Sequence, residues 1–202
     1  MGRDALTIVG LTGRYCAGKN HIASLFSERN FKVIDVDSLG HDALGQVKDE
    51  LAALFGKGII TAEGSVDRKK LGALVFGHQR ALETLERVVH PQMVAECIRL
   101  IERFRDQGEA TVVINAALLH RMNLDILCDT VCFVEAPWVV RLFRAIRRDG
   151  ATLKTFLRVE KSQEDIVSSM IRGAKSLHIL KNWGRRAFIH RQVDEFCATM
   201  GI

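Results

Sequence analysis

Proline occurs twice, tyrosine once and tryptophan twice in the 202 residues. Two prolines exclude a Pro-rich linker or polyproline ligand, and no stretch is low in complexity or disordered by composition. A nucleic-acid binder of the stacking kind needs rings interleaved with a clustered basic face. One tyrosine and two tryptophans do not supply it, so no nucleic-acid partner is expected. Long apolar runs are absent as well. The clean one near the start, residues 6–11, is far shorter than the roughly 20 residues of a membrane-spanning helix, and no membrane partner is expected. Residues 1–5 carry Arg3 beside Asp4 and lead into no cleavable apolar segment. That does not read as a secretory signal, and the expected location is cytoplasmic. The five cysteines are Cys16, Cys97, Cys128, Cys132 and Cys197. Cys128 and Cys132 have no second Cys or His pair at zinc-site spacing. They read as reduced, small apolar side chains rather than metal ligands.

What is present is ordinary for a soluble globular protein: 48% hydrophobic and 26% charged residues. The length suits one domain, or one domain with a small insertion, and is enough to bury a core without disulfides. Lys and Arg number 29 against 24 Asp and Glu, a formal net charge of +5. That excess suits an anionic ligand and does not choose among nucleotide, phosphate and nucleic acid.

Leu6-Thr7-Ile8-Val9-Gly10-Leu11 reads as a strand buried on both faces, and His21 to Phe26 has helical apolar spacing. Phe31 to Asp35, Thr111 to Asn115, Thr130 to Val134 and His178 to Leu180 read as four further strands. Residues 38–104 are mostly helical in pattern, broken near Gly56-Lys57-Gly58 and Glu63-Gly64; helices are also expected over 139–148, 153–163 and 187–197. Strands alternating with helices predict an α/β fold: three layers, with a parallel five-stranded sheet covered on both faces. No internal repeat is visible. The stripe Leu51, Leu54 and Phe55 reads as core, and Lys181, Arg185, Arg186 and Arg191 as surface.

Gly13-Arg14-Tyr15-Cys16-Ala17-Gly18-Lys19 has the G-x-x-x-x-G-K spacing, follows a buried strand and opens a helix. Glycines let the backbone wrap phosphates, inward N–H groups and the helix N-terminus add positive potential, and the lysine reaches the terminal phosphates. Residues 13–21, from Gly13 and Arg14 through Tyr15, Cys16, Ala17, Gly18, Lys19 and Asn20 to His21, are therefore the candidate nucleotide-binding segment, with Lys19 also catalytic. Asn20 stands where a Ser or Thr hydroxyl ordinarily meets Mg²⁺. Its amide oxygen is also a neutral hard donor, on a longer chain, and would bind directly or through water.

An acceptor hydroxyl needs a carboxylate within hydrogen-bond reach. In an extended segment Asp35 and Asp37 would face one side, at the carboxyl end of a parallel strand where such sheets place ligands. They could equally cap the next helix. Arg141, Arg144 and Arg148 share a helical face, with Arg147 beside them. Such a face either screens a bound triphosphate or simply meets solvent.

Taken in order, these residues resemble a known family, the dephospho-CoA kinases, small relatives of nucleoside monophosphate kinases. The resemblance runs through Gly10-Leu11-Thr12-Gly13, Gly18-Lys19, Val33-Ile34-Asp35-Val36-Asp37, Val66-Asp67-Arg68 with Leu71, Val75-Phe76 and His90-Pro91. It continues with Asn115-Ala116-Ala117-Leu118-Leu119, Leu124-Asp125, Cys128-Asp129, Glu135-Ala136-Pro137, Arg144 to Arg148-Asp149, Gln163 and Asn182-x-Gly184. It implies a P-loop kinase fold occupying residues 1–202 as a single domain, with a helical substrate-binding insertion at 38–104 and a helical lid at 140–163. The implied activity is ATP-dependent phosphorylation of the ribose 3′-hydroxyl of dephospho-CoA, giving coenzyme A and ADP, with Mg²⁺ beside ATP. It further implies Asp37 as general base, Arg144 and Arg148 as catalytic lid arginines, and Asp37, His90 and Leu118 at the acceptor. His90-Pro91 alone would as readily mark a helix start. Asn115 falls where the family carries an Asp near the metal, so Asn20 and Asn115 are the candidate metal-site residues, directly or through water. Another nucleoside or nucleotide kinase on the same scaffold, or a nucleotide-binding homologue impaired by those two asparagines, are the competing readings.

Overall fold

The computed structural model describes residues 6–75 and 78–202. Residues 1–5, with Arg3 and Asp4, and Phe76 of the Val75-Phe76 pair lie outside the described residues. The chain divides into two compact units, one running to Asp35 and resuming at Leu100–Ile202, the other Val36–Arg99.

The first unit is built on a five-stranded parallel sheet of β1 (Thr7–Thr12), β2 (Lys32–Asp35), β3 (Thr111–Asn115), β4 (Thr130–Glu135) and β5 (Ser176–Lys181), in the order β2-β3-β1-β4-β5. The three central strands carry the continuous apolar runs because both their faces are covered; β2 and β5, at the edges, are only partly buried. One face packs α1 (Lys19–Ser27) and α8 (Arg186–Met200). Val9, Leu11, Val113 and Val134 of the sheet meet Ile22, Phe26, Val193 and Phe196 of these helices. On the other face Gly10 is obligatory. A Cβ there would stand 2.8 Å from Val131 Cγ2 and 2.9 Å from both Cys128 Sγ and Leu119 Cδ2. Cys128 and Cys132 are buried core thiols, and among the described residues no three His, Cys, Asp or Glu side chains gather to hold a metal.

Several elements run past their expected ends, whereas β2 starts one residue late at Lys32, β3 has the expected bounds and the helix expected over 153–163 stops at Ser162. The first helix starts at Lys19, directly on the glycine loop, and the last strand and last helix gain a few residues at each end. One expectation is overturned. Asp35 closes β2, but α2 (Val36–Gln46) begins at the next residue, so Asp37 sits in the first turn of a helix. Alternation with period two therefore does not place Asp35 and Asp37 on one side; helical residues step by 3.6 per turn instead.

The Val36–Arg99 unit contains α2, α3 (Lys48–Phe55), α4 (Arg68–Val75) and most of α5 (Gln79–Asp106). Its buried apolar side chains include Ala43, Val47, Leu51, Ile59, Leu71, Val89 and Met93. Leu54, expected in the core, is half exposed. No helix breaks at His90-Pro91: α5 runs through it, and Pro91, lacking an N–H, leaves the Arg87 carbonyl without its helical donor. Among the described residues no helix is long and apolar enough to cross a membrane.

Candidate active site

The loop between β1 and α1 owes its path to positive φ at Gly13 (151°), Cys16 (58°) and Gly18 (102°). A Cβ on Gly13 would lie 2.5 Å from the Val134 carbonyl oxygen, and one on Gly18 would lie 2.2 Å from Asn182 Nδ2. Both glycines are fixed by close approach as well as by conformation. The residues around them hold the loop from outside. Asn182 Nδ2 donates to the Ala17 carbonyl at 2.9 Å. Arg144, on α6 (Trp138–Asp149), donates from Nη1 to the carbonyls of Cys16 (3.2 Å) and Ala17 (3.0 Å). From Nη2 it donates to the carbonyl and Oδ1 of Asn182, at 3.1 and 3.0 Å. All four of its Nη hydrogens are used this way, so Arg144 is a clamp whose cation is fixed against the outside of the loop. Burial pulls its pKa below the ordinary guanidinium range.

Tyr15 and Cys16 make a second junction. The Tyr15 backbone N–H donates to Gln163 Oε1 at 2.7 Å, and its hydroxyl donates to Asp149. Arg148 grips the same carboxylate through Nε (2.6 Å) and Nη2 (2.8 Å), while its Nη2 lies 3.6 Å from Cys16 Sγ. The Arg148 guanidinium, and then the Tyr15 hydroxyl, hold the Asp149 carboxyl down to about 2, so the clasp is ionised at neutral pH. Burial is the main reason that the Tyr15 hydroxyl and the Cys16 thiol are both pushed up. Arg14 points elsewhere: its guanidinium donates to the carbonyls of Ile166 (2.9 Å) and Glu164 (3.1 Å), anchoring the segment that follows α7 (Leu153–Ser162).

The shared arginine face of α6 is real, yet its members do different work. Arg141 is buried and pairs with Glu160 of α7 through both carboxylate oxygens, 2.7 Å at Nη2. Val139, Phe143 and Ile146 of the same helix are exposed, so α6 turns Arg141 and Arg144 inward beside Ala145, while Arg147 and Arg148 stay exposed. Removing one partner of a buried ion pair strands the other charge. Glu160→Gln is therefore expected to lower unfolding stability by about 3 kcal/mol in urea titration; a loss below about 1 kcal/mol would show that the pair is effectively solvated.

At the end of the sheet, Asn115 is register partner to Leu11 on one side and Asp35 on the other. Its Nδ2 donates to Asn20 Oδ1 at 3.3 Å, while its Oδ1 is buried without a hydrogen-bond partner among the described residues. A buried amide oxygen left unsatisfied is costly, and here it is a neutral oxygen donor on a side chain whose nitrogen meets the loop's first helical turn. His21 Nε2 is likewise buried and unpartnered, its ring edge-on to His190 at 6.0 Å. Burial, and after it His190 and Arg186, lower its pKa, which keeps it neutral. Leu118 is half-buried in the turn after β3, where Thr12 Oγ1 donates to the Ala117 carbonyl at 3.1 Å. In the Val36–Arg99 unit, Asp37 occupies the first turn of α2, and His90 is half-buried within α5.

Within the sheet unit, then, the fold brings together Gly13, Tyr15, Cys16, Ala17, Gly18, Lys19, Asn20, Asn115, Arg144 and Arg148. Sequence reasoning gave Gln163 and Asn182 no role of their own and did not see Glu160 at all. The signals for Asn182 were its place in the family resemblance and a polar residue next to an apolar strand.

Comparison with known proteins agrees with this geometry. The family described as dephospho-CoA kinase matches residues 7–185. The chain is 29% identical to a dephospho-CoA kinase of Fusobacterium nucleatum over 198 residues, covering 97% of this chain and 100% of that one. It is 31% identical to a dephospho-CoA kinase of Borreliella burgdorferi over 201 residues, 96% and 94% of the two chains. Among solved structures it resembles TT1252 from Thermus thermophilus, with TM-score 0.77 and 25% identity over 96% of this chain and 97% of that one. A shikimate kinase of Acinetobacter baumannii, at 13% identity and TM-score 0.52 over 98% and 94%, shares the fold. A match spanning nearly the whole sheet unit and all of the helical one leaves a single assignment: this chain belongs to the dephospho-CoA kinase family.

Proposed function

We propose that the protein transfers the γ-phosphoryl group of ATP to the ribose 3′-hydroxyl of dephospho-CoA, giving ADP and coenzyme A. The observation that carries this is the clamped 13–19 loop at the carboxyl end of β1, opening α1, in a chain matched to the family over residues 7–185. The whole chain is read as one P-loop kinase domain, with 38–104 as its acceptor-binding insertion and 140–163 as its lid, working in the cytoplasm.

The loop N–H groups and Lys19 hold and neutralise the triphosphate. The acceptor's 3′-oxygen attacks the γ-phosphorus, the bond from that phosphorus to the ADP oxygen breaks, and Asp37 takes the hydroxyl proton. His90 and Leu118 contact the acceptor. Arg144 keeps the loop in shape and its charge close by, and the more exposed Arg148 stabilises the transferred charge. The orphaned Asn115 oxygen and the neighbouring Asn20 amide fit a hydrated Mg²⁺, the former through a metal-bound water. When bound, that ion would offset the negative charge that builds up on the phosphates during transfer.

The test is ADP release from purified protein with ATP, Mg²⁺ and dephospho-CoA, beside AMP, adenosine and a blank without acceptor. Turnover confined to dephospho-CoA is expected. ATP binding without turnover on any acceptor, with Mg²⁺ or Mn²⁺, would instead support a nucleotide-binding homologue that has lost catalysis.

A further inference from the structure

Inside the Val36–Arg99 unit lies a cavity of about 580 Å³, bounded by the C-terminal half of α2, the start of α3 and the start of α4. Four of its lining side chains are basic: His41, Lys48, Arg68 and Lys69. Some of the chain's other cations are matched, as Arg29 is with Asp194, Lys32 with Glu109 and Lys175 with Asp129. Among the described residues none of these four has a carboxylate partner. The one carboxylate on the cavity wall, Asp67, is turned to its own helix, accepting the Lys70 N–H at 3.1 Å with Lys70 Nζ 3.6 Å away.

Local structure accounts for Lys70, which pairs with the capping Asp67, and not for Arg68 and Lys69. Arg68, Lys69 and Lys70 fill the first turn of α4, which contains no acidic residue, although the helix dipole disfavours cations at that end. Cations kept at a helix end that disfavours them, beyond what one capping carboxylate offsets, point to function.

We propose that this cavity binds the 5′-diphosphate of the acceptor nucleotide. The inference rests on the kinase reading above and deepens it. Two negative charges on a flexible diphosphate match converging guanidinium and ammonium groups, which form shorter and stronger hydrogen bonds than neutral donors. The position fits as well. His41 follows Asp37 by four residues on α2, so the two share a face just over one turn apart, roughly 6 Å along the axis. A nucleotide's 3′-oxygen and 5′-phosphate stand on opposite arms of one ribose ring, a span of similar scale. With the hydroxyl at Asp37, the diphosphate lies along α2 at His41, and Lys48, Arg68 and Lys69 close around it.

The experiment pairs wild type with an Arg68→Gln/Lys69→Gln variant, both saturated with a non-hydrolysable ATP analogue, and titrates dephospho-CoA calorimetrically. Both side chains are exposed, so the variant is expected to fold. Its affinity for dephospho-CoA is expected to fall by about tenfold or more, while that for adenosine, which has no phosphate, stays within about twofold of wild type. In steady state KM for dephospho-CoA rises in parallel, with kcat and KM for ATP nearly unchanged, and Arg68→Lys/Lys69→Arg restores much of the loss. Equal dephospho-CoA affinity in wild type and the Gln variant overturns the proposal. If wild type fails to turn over dephospho-CoA, the kinase reading falls, and inorganic pyrophosphate added to the same ATP-analogue complexes decides this one. Binding to wild type that the variant loses supports an anion site. No binding to wild type, or equal binding to both, overturns it.

Discussion

Asp37→Asn is expected to lower kcat with dephospho-CoA by about 10²–10⁴-fold, the range general-base removal ordinarily costs, and to leave ATP affinity within a few-fold. The side chain belongs to the first turn of α2, in the Val36–Arg99 unit, whereas the loop that cradles ATP belongs to the sheet unit. Asparagine keeps the size and one oxygen of aspartate and removes the charge together with the capacity to accept the proton. A loss confined to kcat would thus report on proton transfer, and an equal loss of ATP binding would report on damaged architecture. Asp35→Asn is the internal comparison. Asp35 ends β2 as register partner of Asn115 and is not expected to act on the hydroxyl. ADP release and ATP calorimetry on both variants check the pair; wild-type turnover in Asp37→Asn would move the base elsewhere.

Gly18→Ala is expected to weaken ATP binding by at least about tenfold and to lower stability by about 2–4 kcal/mol. Two costs combine. At φ 102° the residue is in a region that side chains other than glycine occupy only with strain, about 1–3 kcal/mol. The new methyl would also stand 2.2 Å from Asn182 Nδ2, the atom that donates to Ala17. If Asn182 withdraws, the Ala17 carbonyl loses one donor and Arg144 loses its contacts with that side chain, a further 1 kcal/mol or so for each broken bond. ATP calorimetry and urea unfolding read the two effects separately. Adding Asn182→Gly removes the collision and leaves the backbone strain, so the double variant should regain part of the stability and little of the affinity. ATP binding at the wild-type level in Gly18→Ala would show that the loop does not need this path.

Much of the fold was readable from the chain. Three strands are buried on both faces, and continuous apolar runs such as Thr111 to Ile114 announce that directly. The glycine-lysine loop was legible because its spacing, preceding strand and following helix are all local. What failed or went unseen was non-local. Asp37 was placed in an extended segment because nothing in Val33-Ile34-Asp35-Val36-Asp37 marks the point where a strand becomes a helix; buried Val36 suits either. Leu54 was read as core from its spacing, though α3 turns it toward solvent. Arg141 looked like a third member of a phosphate-screening row. It is instead neutralised by Glu160, 19 residues away, a pairing set by how α6 and α7 fold back on each other. The basic cavity of α2, α3 and α4 was invisible for the same reason, since His41, Lys48 and Arg68 are strung along three elements.

The P-loop is finished from the far end of the chain. Its backbone lies within residues 13–19, but its outer contacts come from Arg144, Gln163 and Asn182, separated from their partners by 127, 148 and 165 residues. During synthesis the loop emerges early, and its braces follow one after another, Asn182 last. The braced shape of the loop is thus a late product of synthesis, completed by the residue that follows β5. A chain released short of Asn182 would carry the complete phosphate-binding sequence and still lack the phosphate-binding shape.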